Sequence, residues 1–157
     1  MVEEGQPAPD FELASDTGET VRLSDLRGKP VVLYFYPRDD TPGCTKQACG
    51  IRDAWDAFRE RGAAVFGISP DGEASHAKFK RKYGLPFTLL ADPEHRVAEQ
   101  YGFWVQKSFA GKKYRGMERS TVVIGTDGTV SRIFRRVRPN EHAEQVLAAL
   151  PWLPFPA

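Results

Sequence analysis

Apolar and polar positions along the chain change period several times, and each change predicts an element. Val31-Val-Leu-Tyr-Phe-Tyr36 is a continuous β-branched and aromatic run, which predicts a strand buried on both faces and ended by Pro37. Beyond the next loop, Ala48, Ile51, Trp55 and Phe58 recur in steps of three and four. That spacing predicts one helix from 42 or 43 to 61, stopped by Gly62. The same switching predicts strands over 63–68 and 87–90, and helices over 71–83 and 93–101 closed by Gly84 and Gly102. Near the start, strands over 11–13 and 20–23 flank Ser15-Asp16-Thr17-Gly18 as a hairpin, followed by one helical turn over 24–28. Near the end, strands over 121–124 and 129–134 flank Thr126-Asp127-Gly128, an Asp-Gly hairpin signal, and Asn140 is placed to cap a last helix to 150. The proline-rich tail cannot continue that helix, and its Trp152 and Phe155 are expected to pack on the domain.

Strands alternating with helices, then a hairpin and a final helix, imply an α/β mixed sheet with helices on both faces. No repeat, low-complexity stretch or Gly/Ser linker interrupts the pattern, so residues 1–157 read as one domain. Function in such sheets gathers beyond the carboxyl ends of the strands, which directs attention to the loop after Tyr36.

Composition sharpens this picture. With 157 residues and 41% of them hydrophobic, the chain is long enough to be stable without disulfides or structural metals, so its two cysteines need another reason. Twenty-two Lys and Arg against 21 Asp and Glu give a net charge of +1, which argues against a nucleic-acid partner. The charge is uneven: residues 1–25 carry seven acids and one base, residues 112–141 eight bases and three acids. Solvated faces account for both, with docking of a charged partner protein as the alternative, and solvated faces account for the basic run Lys78, Lys80, Arg81 and Lys82. The first ten residues have neither a basic start nor an apolar run, and no stretch approaches the roughly 18 apolar residues of a membrane span. The expectation is a cytoplasmic protein with no membrane association, whose cysteines are reactive or metal-binding rather than a static staple. Phosphate-binding glycine motifs are absent, and 67–72 lacks the spacing of a nucleophile elbow.

The loop reads Pro37-Arg-Asp-Asp-Thr41-Pro-Gly-Cys44-Thr-Lys-Gln-Ala-Cys49. Cys44 falls in the first helical turn, where unpaired N–H groups and the positive end of the helix dipole favour the thiolate, which is the nucleophile. Asp39 and Asp40 would oppose this if they faced the sulfur, and are expected to point into solvent. Cys44 lies on the apolar stripe four residues before Ala48, whereas Cys49 is turned about 140° away onto the polar flank with Arg52, Asp53 and Asp56. Helix geometry puts the two Cα atoms about 8.6 Å apart, beyond the roughly 4.4–6.8 Å of a disulfide. If the pair ever bonds, the first turns must unwind. A zinc site finds no further ligands at suitable spacing, since His76, His95 and His142 are scattered over three helices. Two unrelated buried thiols and a dithiol oxidoreductase, which would be expected to use C-x-x-C, stay open as readings.

Pro37, Thr41 and Cys44 stand as P-x-x-x-T-x-x-C, and this pattern resembles the active site of peroxiredoxins. Gly43-Cys-Thr-Lys-Gln-Ala-Cys49 with Arg52-Asp53 is similar to the Q-type branch, the bacterioferritin comigratory proteins. Gly5-Gln-Pro-Ala-Pro-Asp-Phe11, Leu23-Ser-Asp-Leu-Arg-Gly-Lys29, Gly111-Lys-Lys-Tyr114 and Arg119-Ser-Thr121 extend the resemblance over nearly the whole chain. It implies a thioredoxin-like fold, with Cys44 as peroxidatic cysteine, Cys49 as resolving cysteine, and Pro37, Thr41 and Arg119 around the sulfur. Arg119 cannot lose its proton and is suited to hold thiolate and peroxide together. Thr41 can bond the sulfur or peroxide, or cap the helix; Pro37 can shape and shield the loop. The implied reaction is reduction of hydrogen peroxide or an organic hydroperoxide, with a sulfenic acid at Cys44, an intramolecular disulfide to Cys49, and recycling by thioredoxin or a similar dithiol protein. No cofactor is required, and a monomer is expected. The commonest form of the branch carries glutamate where this chain has Gln47, whose amide can still hydrogen-bond. No proline precedes Thr121, where thioredoxin-like oxidoreductases usually carry one in cis, which favours peroxidase over thiol exchange.

Overall fold

The computed structural model of the chain describes residues 1–150, so Trp152 and Phe155 lie outside the described residues. Its strands are β1 (Glu12–Ser15), β2 (Thr20–Arg22), β3 (Val31–Phe35), β4 (Ala64–Ser69), β5 (Thr88–Ala91), β6 (Trp104–Phe109), β7 (Lys112–Met117), β8 (Ser120–Ile124) and β9 (Val130–Phe134). Its helices are α1 (Pro42–Asp53), α2 (Trp55–Glu60), α3 (Glu73–Tyr83), α4 (Arg96–Tyr101) and α5 (His142–Ala148), with a 3-10 turn over Leu23–Leu26. Seven strands form one sheet in the order β2-β1-β5-β4-β3-β8-β9. In it β3, β4 and β5 are parallel, while β1 and β8 run against their neighbours.

The unbroken apolar run of β3 has its reason in two cores. Val31, Leu33 and Phe35 pack with Val97, Ala98 and Tyr101 of α4 on one face. Val32 and Tyr34 pack with Cys44, Ala48 and Ile51 of α1, Phe58 of α2, Phe79 of α3 and Val146 of α5 on the other. Each fully buried large aliphatic or aromatic side chain contributes about 1.5–3 kcal/mol relative to exposure, so this central strand anchors both layers. The register sets Tyr34 between Gly67 of β4 and Thr121 of β8. A Cβ on Gly67 would meet the Tyr34 ring at 2.7 Å, so glycine is what lets the tyrosine lie across β4.

Four expectations are corrected. The long helix is two: Ala54 at φ −101°, ψ 15° breaks it, with its N–H shared between the carbonyls of Gly50 and Ile51. The apolar stripe runs on through Ile51, Trp55 and Phe58, so periodicity could not reveal the break. The helix expected over 93–101 starts only at Arg96, because the Asp92 carboxylate accepts from the Val97 and Ala98 amides and residues before it form a turn with His95 at φ +47°. The last helix spans His142–Ala148, with Glu141 rather than Asn140 at its start and no side-chain cap. Finally, β6 and β7 form a separate hairpin that the pattern did not predict. Its turn is Ala110-Gly111, both at positive φ, instead of an Asn-Gly or Asp-Gly pair, and its outer strands are mostly polar.

Candidate active site

The loop between β3 and α1 leaves the carboxyl end of a buried parallel strand, beside the corresponding end of β4. Thr41 occupies the N-cap position of α1 in extended conformation, Pro42 takes the first helical position, and the Thr45 amide makes the first helical bond to the Thr41 carbonyl at 2.8 Å. Pro42 has no N–H, and helix geometry leaves the Gly43 and Cys44 amides without an intrahelical acceptor. The Thr41 side chain does not cap them. Two donors and the positive end of the helix dipole therefore converge where the Cys44 side chain begins. Cys44 is only 1% exposed and packs against Tyr34 and Tyr36, whereas Cys49 is half-buried; both are free thiols. The sulfur faces the sheet as its helical spacing predicts.

Arg119 closes the site from the other side. It precedes β8, its carbonyl accepts from the Val137 amide at 2.9 Å, and its Nη1 donates to Gln47 Oε1 at 2.6 Å. Gln47 is fully buried three residues after Cys44, so its amide oxygen holds the arginine at the position where the commonest form of the branch carries a glutamate. The guanidinium Nη2 lies 3.1 Å from where a Cβ on Gly43 would stand, with Pro139 Cγ at 3.6 Å. Arginine and helix start are in contact because residue 43 has no side chain. Thr41 does not cap the helix: its Oγ1 donates to the Arg38 carbonyl at 2.9 Å, which leaves its lone pairs available to accept. Pro37 is half-buried at the strand's exit.

Charge at the site shows in its neighbours. Burial, then the Cys44 charge, holds the Tyr34 phenol well above its ordinary range, so it stays neutral. Burial and then Arg119 push the Lys107 ammonium down, against the opposing pull of Glu118 and Cys44. Lys107 thus brings a half-buried cation from the β6–β7 hairpin toward the site. Burial, followed by Arg119, pushes His142 down to about 3, and its Nε2 bonds Thr121 Oγ1 at 2.6 Å. Tyr34 Oη, Gln47 Nε2 and His142 Nδ1 are buried without a partner among the described residues.

One expectation about the loop is overturned. Asp40 does face solvent, held by Lys82 and Tyr83, but Asp39 turns inward and is 9% exposed. A buried carboxylate needs partners, and Asp39 has them in the Tyr36 hydroxyl at 2.5 Å, the Ser75 hydroxyl at 2.8 Å and His76 Nδ1 at 2.7 Å. Its own amide donates to Asp71 Oδ2 at 2.7 Å. Ligand atoms of Asp39, Asp71 and His76 lie within 4.8 Å of one another, yet protein donors already occupy them, Ser69 Oγ included, so the cluster is a hydrogen-bond network. His95 instead stacks on Trp104 at 4.0 Å. The sequence pattern alone does not mark Asp39, His76, His142 or Lys107 as site residues. The available signal was His76 on the stripe of Phe79 and Tyr83, which marks it as buried and in need of a partner.

Comparison with known proteins agrees with this geometry. The model of the AhpC/TSA family matches residues 4–133. A putative peroxiredoxin of Coxiella burnetii is 50% identical over 149 residues, covering 95% of this chain and 99% of that protein. A peroxiredoxin of Bacillus subtilis is 49% identical, covering 95% of each. Among solved structures, the bacterioferritin comigratory protein of Xanthomonas campestris, described for alkyl peroxide reduction, superposes with a TM-score of 0.85 at 33% identity over 88% of each chain. These matches select thiol-dependent peroxidase over protein thiol-disulfide oxidoreductase, with the thioredoxin-like fold that the mixed sheet displays. The chain belongs to the AhpC/TSA family and, within it, to the Q-type, bacterioferritin-comigratory peroxiredoxins.

Proposed function

We propose that Cys44 is the peroxidatic and Cys49 the resolving cysteine of this peroxidase, acting on hydrogen peroxide and alkyl hydroperoxides. The observation that carries the reading is a buried thiol in the first turn of α1, where the amides of 43 and 44 have no intrahelical acceptor and the Arg119 guanidinium lies against residue 43. The Cys44 thiolate attacks one peroxide oxygen; the S–O bond forms as the O–O bond breaks, and water or an alcohol leaves with a proton. Arg119 and the helix-start amides donate to the charge that develops on the two oxygens in that transition state, while the Thr41 hydroxyl, its proton given to the Arg38 carbonyl, accepts from the peroxide O–H. Pro37 shields the sulfur from bulk water. The resulting sulfenic acid is resolved when the Cys49 thiolate attacks its sulfur and expels water, so two thiols become one disulfide and the peroxide takes both electrons.

Because α1 is intact from Pro42 to Asp53, its first turns must unwind before the sulfurs meet. Thioredoxin or a similar dithiol protein then reduces the disulfide. Residues 1–157 act as one catalytic domain and as a monomer in the cytoplasm, without a cofactor, nucleic acid or membrane. Among the described residues no helix is long and apolar enough to cross a membrane.

The test mixes reduced protein with one equivalent of peroxide and follows peroxide loss and protein mass. The expected product has lost two hydrogens and carries a Cys44–Cys49 bridge. Cys44→Ser is expected to abolish fast peroxide consumption; Cys49→Ser is expected to turn over once and accumulate the sulfenic acid. A Cys44→Ser protein that still reacts rapidly overturns the assignment.

A further inference from the structure

The segment that carries both cysteines is fastened to α3 at each end. Ahead of it, Asp39 meets Ser75 and His76, and Asp40 meets Lys82 Nζ and Tyr83 Oη at 2.7 Å each. Behind it, Arg52 Nη1 donates to the Tyr83 carbonyl at 2.7 Å. Asp40 sits at φ +55°, in the left-handed region that aspartate tolerates better than most side chains. The Asp40 tie is solvent-exposed and the Arg52 side chain half-exposed, where such contacts hold weakly. The Asp39–His76 tie is different, since the two side chains are 4% and 0% exposed.

Both nitrogens of His76 are committed. Nε2 lies 2.9 Å from the Leu90 carbonyl, which only accepts, so Nε2 carries a hydrogen. Nδ1 faces Asp39 Oδ2, so a further proton lies between ring and carboxyl. The ring is thereby fixed to β5 at one end and to the active-site loop at the other. With the Tyr36 hydroxyl on Asp39 Oδ1 and the Asp39 amide on Asp71, the backbone that leads into Thr41 has one position.

We propose that His76 is a positioning residue of the peroxidase. Through Asp39 it holds the loop over 37–41 where Cys44 meets peroxide, and it keeps that loop in place while residues 42–51 unwind to bring Cys44 to Cys49. The inference rests on the roles given above to the two cysteines. Neither Asp39 nor His76 touches the reacting atoms. If the loop came free, the mobile segment would extend back to Tyr36, and its larger ensemble would make the reactive geometry rarer and rewinding slower.

Two variants that each keep one of the two bonds provide the test. His76→Asn retains a donor toward Asp39 and gives up Leu90; His76→Gln retains a donor that reaches the Leu90 carbonyl and gives up Asp39. Rapid mixing resolves oxidation of Cys44 from formation of the disulfide, and thermal unfolding compares the folded states. The expected result is a first step slowed about tenfold in His76→Gln, the equivalent of one charge-assisted hydrogen bond, with the wild-type rate kept in His76→Asn. Equal effects in the two variants, or none in either, overturn the proposal. Hydrogen exchange on wild-type protein oxidised with one equivalent of peroxide supplies a test that needs no variant. The amides of 42–51 are expected to lose protection while that of Asp39 keeps it, and loss at Asp39 overturns the proposal. Absence of a Cys44–Cys49 disulfide in that same sample would instead remove the assignment of the cysteines, whereas a disulfide with indistinguishable variants removes the role of His76 alone.

Discussion

Arg119 reaches across from the start of β8 to place one guanidinium nitrogen on Gln47, at 2.6 Å, and the other over Gly43. The first contact fixes the plane of the fork, and the second brings positive charge against the helix start. The two depend on different features, one on a buried amide and one on the absence of a side chain.

Gly43→Ala separates stability from activity. A Cβ there would stand 3.1 Å from Arg119 Nη2 and 3.6 Å from Pro139 Cγ, and the flexible arginine would give way. Alanine favours the helix over glycine by up to about 1 kcal/mol, and Gly43 does not have positive φ, so stability in urea is expected to hold or rise. The peroxide step is expected to slow about 10–100-fold, because a displaced donor costs rate steeply. Unchanged rapid-mixing kinetics would mean that the guanidinium position does not matter to the first step.

Arg119→Lys keeps the charge and loses the fork. A lysine can hold either Gln47 or the site but cannot span both as the planar guanidinium does. The second-order rate constant with peroxide is expected to fall about 10²–10³-fold, the cost of one well-placed transition-state donor. Gln47→Ala, with Arg119 intact but untethered, is expected to fall between this variant and wild type. A Gln47→Ala rate below that of Arg119→Lys would assign the amide more than a tethering role.

Gly67→Ala is expected to be strongly destabilising with no direct effect on chemistry. Its Cβ would meet Tyr34 Cζ at 2.7 Å, Tyr34 Oη at 2.8 Å and Leu89 Cδ2 at 2.9 Å. Tyr34 is buried in the centre of the sheet and cannot swing into solvent. Overpacking of this kind costs typically about 1–3 kcal/mol, measurable as a lower urea midpoint at unchanged slope. A midpoint equal to wild type would show that the sheet relaxes at this position.

The sequence made the sheet and the cysteines legible for one reason: both depend on local pattern. The run at Val31, the stripe through Ala48 and Ile51, and the position of Cys44 on that stripe follow from neighbours a few residues away. What escaped depends on partners far along the chain. Asp39 reads as a solvated loop acid until His76, 37 residues on, is brought beneath it by α3. The β6–β7 hairpin escaped because Ala110-Gly111 lacks a turn signature, and Lys107 was hidden with it. The capping role open to Thr41 is not taken up, since its hydroxyl donates to the Arg38 carbonyl and accepts from no helix N–H.

His142 makes stability depend on pH in a direction that can be worked out. Burial, then the Arg119 charge, pushes its imidazole down to about 3 in the folded protein, against about 6.5 in an unfolded chain. Between those values the unfolded state binds a proton that the folded state refuses. Stability is therefore full above about pH 6.5 and falls as the pH drops, by about 1.4 kcal/mol per unit. His142→Gln keeps a group that reaches Thr121 and removes the titration. Carboxylates elsewhere titrate alike in both proteins, so the difference between their urea stabilities isolates the histidine. From pH 7.5 to 5 that difference is expected to shift by about 2 kcal/mol in favour of the glutamine variant. Parallel losses in the two proteins would mean that the folded state takes up the proton at His142, beside Arg119, without penalty.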